Sequence, residues 1–229
     1  MTDAGSPLAV AVAADPTPWP LAPARLDDVS VAALFIDFQH DFCSPGGMAD
    51  QQGYEIDQLR GARSQARRVL GAARTLGWTV VHTRVGRPSG SPGAGSGPLG
   101  RHLVQGEPGY ELVDDLAPVA GEIVIDKPGK GAFRSTSLDE ELRERGITHL
   151  VFAGVTSDVC VTSTFREAHD LGYSCLVLSD ATASYWPEAH AAAMTLVVAQ
   201  RGLLGRRATT DQLLAAALPA AAMSEGSSS

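Results

Sequence analysis

Ser30-Val-Ala-Ala-Leu-Phe-Ile36 and His149-Leu-Val-Phe-Ala-Gly-Val155 are the two stretches that decide the fold. Each is a short continuous apolar run, as expected of a strand buried on both faces. Working outward, Asp57–Leu76 carries apolar residues at helical spacing, stops at Gly77 and leads into a second strand, Trp78–Thr83. A short helix over Tyr110–Leu116 precedes a third strand, Glu122–Ile125. A helix over Ser135–Arg145 then leads to the 149–155 strand. After it come a helix from Asp158 to Leu171, a strand at Ser174–Leu178, a helix at Pro187–Gln200, a strand near Leu203–Ala208 and a helix at Asp211–Leu218. Strands that alternate with helices and are apolar on both faces predict a single-domain α/β fold. Its sheet is a doubly wound, parallel, six-stranded one with helices on both faces.

The chain has 229 residues, a length that one compact domain can fill. We expect an extended, partly disordered N-terminal arm at 1–24, the domain at 25–220 and a disordered tail at 221–229. Trp19, between Pro18 and Pro20, is an apolar anchor for the body or for a neighbouring subunit. A Gly/Pro/Ser-rich insert between Val85 and Gly109 is long for a loop inside a domain, which suits a lid or mobile segment. The net charge of −8 leaves no electrostatic footprint for nucleic acid. No apolar run nears the ~18 residues that span a membrane. The apolar patch Leu8–Ala14 follows Asp3 without preceding basic residues and is short for a secretory signal. Three widely spaced cysteines, Cys43, Cys160 and Cys175, form no zinc-type cluster and fit a reducing, cytoplasmic compartment.

Parallel sheets place their sites at the carboxyl ends of strands. That rule selects Asp37 after the first strand, Lys127 after the third and Cys160 just past the fourth. An acid at the end of a buried strand is costly unless it is paired or used, or serves as a cap. Cys160, in the first turn of a helix, is either a thiolate favoured by free N–H groups or a small buried apolar residue. Cys175, inside an apolar strand, fits a buried role, and Cys43 remains open. Lysine is nearly absent: of 18 basic residues sixteen are arginine, and both lysines fall in Lys127-Pro-Gly-Lys130. Where a solvated charge suffices this chain uses arginine, so at least one of these positions needs an amine.

Together, Leu34-Phe-Ile-Asp-Phe-Gln39, Asp126-Lys-Pro-Gly-Lys-Gly-Ala-Phe133 and Gly154-Val-Thr-Ser-Asp-Val-Cys-Val161 resemble the isochorismatase-like cysteine hydrolases. That family includes nicotinamidases, N-carbamoylsarcosine amidase, ureidoacrylate amidohydrolase and biuret amidohydrolase. Ala14–Pro20, Gly106–Tyr110 and Arg166-Glu-Ala168 extend the likeness toward the biuret and ureidoacrylate enzymes. The resemblance implies a catalytic triad of Asp37, Lys127 and Cys160, and a non-proline cis peptide at Val155–Thr156. It also implies an oxyanion site at the backbone of Thr156 and Cys160, with Phe42, Lys130, Val155, Thr156 and Gln200 against the substrate. It carries the expectation of a small-molecule substrate, no cofactor, and a homo-oligomer (dimer or tetramer).

Two departures stand out. His82-Thr-Arg-Val-Gly-Arg-Pro88 lacks the Asp-x-His cluster of the metal-dependent nicotinamidases, so no metal is expected. The loop Ser179–Pro187 and the Gly/Ser insert differ from the biuret-hydrolase pattern. The implied activity is cleavage of a C–N bond in a small linear ureido or amide compound through a thioester. The competing readings are a hydrolase of a vinyl ether on the same fold, and a catalytically silent family member. A dinucleotide binder fits poorly, because Asp37-Phe-Gln-His-Asp follows the first strand instead of a glycine-rich turn.

Overall fold

In the structure, a computed structural model that describes residues 11–20, 24–91 and 103–218, all six side chains of β1 (Val31–Ile36) are buried. Alternation along the strand sends them to two different cores. Val31, Ala33 and Phe35 pack with residues of α3 such as Leu59, Ala66 and Leu70, while Ala32, Leu34 and Ile36 pack with Leu142, Phe165 and Met194 on the other side. A continuous apolar run is the sequence signature of this two-sided burial.

The chain continues through two single-turn helices, α1 (His40–Cys43) and α2 (Met48–Gln51), into the long α3 (Asp57–Thr75). Then follow β2 (Thr79–Val85), β3 (Ile123–Lys127), α4 (Leu138–Glu144) and β4 (His149–Val155). A π-helical turn at Ser157–Val161 opens α5 (Thr162–Asp170). Next come β5 (Ser174–Ala183), α6 (Pro187–Val197), the short α7 (Ala199–Gly202), β6 (Arg206–Ala208) and α8 (Thr210–Ala217). All six strands are parallel, in the order β3-β2-β1-β4-β5-β6. Residues of α3 and α8 pack into one core, and those of α4, α5 and α6 into the other. The order reverses between β1 and β4, and a crevice forms at such a switch point beyond the strands' carboxyl ends. Gly154 keeps β4 tight against β1 there: a Cβ on it would lie 2.5 Å from Ile36 Cβ and 2.7 Å from the Ile36 carbonyl oxygen.

Several elements differ from the sequence expectation. The segment 110–116 is two 3-10 turns, Pro108–Tyr110 and Asp114–Leu116, instead of one helix. Tertiary bonds hold it open: the Gln39 side chain donates to the Tyr110 carbonyl at 2.7 Å, and Val113 N donates to the Phe38 carbonyl at 2.9 Å. β5 runs five residues past the expected Leu178, with a register shift against β4 between Phe152 and Gly154. α6 stops at Val197, short of Gln200.

The described part of the arm, residues 11–20, lies on the body. Trp19 is fully buried, donates from Nε1 to Ser174 Oγ at 3.0 Å and meets the His149 ring edge-on at 5.3 Å. Asp15 and Arg207 exchange two backbone hydrogen bonds of 2.9 and 3.0 Å. The expected disordered tail at 221–229, the arm's first ten residues and positions 92–102 of the insert lie outside the described residues. Truncating a buried aromatic costs about 3–5 kcal/mol. Trp19→Ala should therefore lower the unfolding free energy by that amount in urea titration, and an unchanged midpoint would show that the arm contributes nothing to the body.

Candidate active site

Asp37 leaves β1 with φ of 54°, a left-handed turn that aspartate tolerates better than most residues. The turn sends its carboxylate into the crevice, where it is 0% exposed. Thr83 Oγ1, at the end of β2, donates to Oδ1 at 2.6 Å. The Lys127 ammonium, at the end of β3, lies 2.8 Å from Oδ2 and is 1% exposed. The same Nζ donates to the Gly129 carbonyl at 3.1 Å and to the Lys130 carbonyl at 2.8 Å. Three acceptors around one nitrogen match the three N–H bonds of an ammonium, and a planar guanidinium cannot reproduce that arrangement. The lysine-specific requirement thus resides at Lys127. Lys130 is exposed, and it is the backbone of this residue that holds Lys127.

A residue the sequence reading gave no role fastens this lysine loop. Glu167 on α5 accepts from Phe133 N at 2.9 Å and from Arg134 N at 3.4 Å. Gly131 packs so closely on the Glu167 carboxylate that any Cβ there would collide with it. Glu167 lies seven residues beyond Cys160, so one helical segment carries both the cysteine and the clamp on the lysine loop.

Cys160 sits in the π turn, 3% exposed, and its carbonyl accepts from Thr164 Oγ1 at 2.8 Å. The peptide bond between Val155 and Thr156, just before this turn, is cis. Burial pushes the Cys160 thiol well above its ordinary range. The nearby Asp37 charge and a hydrogen bond to that carboxylate add to the rise, while Lys127 and Lys130 oppose it. Of the two readings open for this residue, burial and the neighbouring anion favour the protonated one. Burial also pushes Cys43 up to about 12 and raises Cys175, whose sulfur donates to the Tyr173 carbonyl at 3.4 Å.

A pocket of about 260 Å³ opens onto Cys160, lined by Phe42, Tyr54, Lys130, Thr156 and Tyr185 among others. Its aromatic wall is built from the short link between β5 and α6 and from the chain before α3: Tyr185 stacks on Tyr54 at 4.7 Å, and Trp186 meets Tyr54 edge-on at 5.5 Å. A larger concavity of about 460 Å³ is lined by His40, Asp41 and Ser44 among others, and by none of the three residues above. Of the substrate contacts expected from sequence, Phe42, Lys130 and Thr156 line the pocket on Cys160. Val155 does not, being wholly buried behind the cis bond. Gln200 is also absent from the lining: it is exposed on α7, φ 52°, between α6 and β6. Because β6 is parallel to the rest, the chain has returned by then to the edge where strands begin, across the sheet from the crevice. His82 is buried in β2, 3.0 Å from Glu122. No group of three His, Cys, Asp or Glu among the described residues could hold a metal ion, and no described helix is long and apolar enough to cross a membrane.

Residues 31–208 match the isochorismatase domain model. The chain belongs to the isochorismatase family. This family member is 36% identical over 203 residues to the ureidoacrylate amidohydrolase RutB of Caulobacter vibrioides strain NA1000 / CB15N, covering 80% of this chain and 83% of the relative. Among solved structures it is similar to an isochorismatase family protein from Desulfovibrio vulgaris, with TM-score 0.70, 28% identity and coverage of 81% and 96% of the two chains. It is also similar to N-carbamoylsarcosine amidase from Thermoplasma acidophilum, with TM-score 0.66, 25% identity and coverage of 80% and 98%.

A thiol raised by burial titrates late. Mass-spectrometric alkylation of the Cys160 peptide by iodoacetamide should therefore be slow at pH 7 and climb without levelling between pH 7 and about 10. A plateau below about pH 8 would show a resting thiolate instead.

Proposed function

We propose that this family member is a cysteine-dependent amidohydrolase that cleaves a C–N bond of a small linear ureido or amide compound through a thioester. The observation that carries this reading is the buried chain of contacts from the Cys160 thiol to the Asp37 carboxylate to the Lys127 ammonium, opening onto a small pocket. The activity named for the ureidoacrylate amidohydrolase relative supports it.

In this mechanism Asp37 takes the thiol proton as the sulfur attacks the carbonyl carbon. The backbone N–H groups of Thr156 and Cys160 receive the oxyanion, a contribution worth about 10²–10³ in rate per donor in other acyl-transfer enzymes. As the tetrahedral intermediate collapses, the C–N bond breaks and Asp37 passes its proton to the departing ammonia or amine, leaving an acyl- or carbamoyl-thioester on Cys160. A water then adds to that carbonyl while Asp37 takes one of its protons. The C–S bond breaks, the acid or carbamate leaves, and the proton returns to sulfur. Every proton passes through one carboxylate. Lys127, with three acceptors already around its nitrogen, holds that carboxylate in place and contributes charge. Phe42 supplies an apolar wall and Lys130 a cation at the pocket. Val155 and Gln200 are given no contact with substrate.

Cys160→Ala should abolish ammonia release, about 10³-fold or more in kcat, while the circular dichroism spectrum is retained. Biuret, ureidoacrylate, N-carbamoyl amino acids, nicotinamide and maleamate form the substrate screen, with intact-protein mass spectrometry for the adduct. Wild-type turnover in the alanine variant would remove Cys160 from the mechanism.

Lys127→Arg should lose nearly as much activity as Lys127→Ala, because a fork cannot meet the three acceptors. The alanine variant should also lose about 3–5 kcal/mol of stability by leaving the buried Asp37 unpaired. An arginine variant with near-normal kcat/KM would show that charge alone suffices.

A further inference from the structure

The pocket contains two polar atoms that the fold leaves without a partner. Asp158 Oδ1 and the Tyr185 hydroxyl are both shut off from solvent, and neither is hydrogen-bonded to a described residue. Both residues line the pocket onto which Cys160 opens. They arrive on separate elements, Asp158 on the π turn that carries Cys160 and Tyr185 on the loop after β5.

Buried oxygens without partners are uncommon, because each has given up its hydrogen bonds to water. Elsewhere this chain satisfies its inward carboxylates. Asp180 accepts from Thr210 N at 2.7 Å and Thr210 Oγ1 at 2.9 Å, and Asp41 accepts from Met48 N at 3.2 Å and Leu103 N at 2.7 Å. Asp37 Oδ2 lies 2.8 Å from the Lys127 ammonium. The other such atom, His82 Nδ1, lies in the sheet. Tyr185 has little freedom to turn away, since its ring is stacked on Tyr54 within 22° of parallel. A carboxyl oxygen accepts and a phenol oxygen can accept as well as donate, so N–H donors in this small pocket can satisfy both.

We propose that Asp158 and Tyr185 are positioning residues that select ureido compounds over simple carboxamides, by taking N–H groups that lie beyond the carbonyl attacked by Cys160. This rests on the amidohydrolase reading above. A ureido group carries nitrogen on both sides of its carbonyl, whereas a carboxamide carries carbon on one. With CH₂ in place of NH the N–H next to the attacked carbonyl, which the two oxygens share, is lost, and sites of this kind reject the analogue that lacks the donor.

The test uses two pairs that differ only by NH against CH₂: biuret with malonamide, and 3-ureidopropionate with glutaramate. Ammonia release is measured for the wild type, Asp158→Leu and Tyr185→Phe. Calorimetric affinities are measured for the same compounds in Cys160→Ala, alone and combined with each substitution. The wild type should favour the ureido member by about 100-fold in kcat/KM in at least one pair, and each substitution should cut that ratio below about fivefold, with the loss carried by KM. A merely structural role would lower both members of a pair equally and leave the ratio intact, which would overturn the proposal. Turnover without a ureido preference sinks the pair's role and leaves the hydrolase. A ureido binding preference without turnover sinks the hydrolase and leaves the pair. The absence of both sinks both.

Discussion

The ion pair between Asp37 and Lys127 is the constraint on which the site depends. Both groups are out of water, and desolvation costs several kcal/mol per ion unless geometry and further hydrogen bonds offset it. Here the offset needs three strand ends in register. β1 supplies the acid, β2 the Thr83 hydroxyl, and β3 the lysine together with the two carbonyls that follow it. A slip of one residue in any of these strands would turn its side chain to the opposite face and strand a charge. Cys160 reaches the same point from the other half of the sheet, and Glu167 ties its helix to the lysine loop. Fold and chemistry are therefore one cooperative object.

The pocket wall is built from other material. The aromatic wall of Tyr54, Tyr185 and Trp186, with Phe42 and Lys130, comes from connections instead of strand ends. Such segments can change without disturbing the buried pair, which is how one reaction centre serves different substrates on a common scaffold.

The sheet was readable because strands buried on both faces leave continuous apolar runs, and the meeting of Asp37, Lys127 and Cys160 was readable because polar residues ending such runs must share one edge of a parallel sheet. The scarcity of lysine pointed at Lys127 or Lys130, and the three acceptors around the Lys127 nitrogen decide between them. What stayed hidden depended on contacts between distant segments. Glu167 falls in the Arg166-Glu-Ala168 likeness, but nothing local to that stretch says that it clamps the lysine loop. The direction of the Cys160 shift follows from burial and from Asp37, neither of which local helix position reveals. Gln200 was assigned by likeness, and the early end of α6 with the reversal into β6 carries it to the far edge. The 3-10 turns near Tyr110 arise because Gln39 and Phe38 compete for backbone groups that a helix would have used.

Asp15, in a stretch that reads as loose polypeptide, has a further consequence. Its paired backbone bonds to Arg207 occupy main-chain groups on the outer margin of β6, a three-residue strand at the end of the sheet. Unprotected margins of this kind recruit foreign strands and seed aggregation. The segment anchored by Trp19 thus works as a selvedge, sealing one border of the sheet against lateral growth.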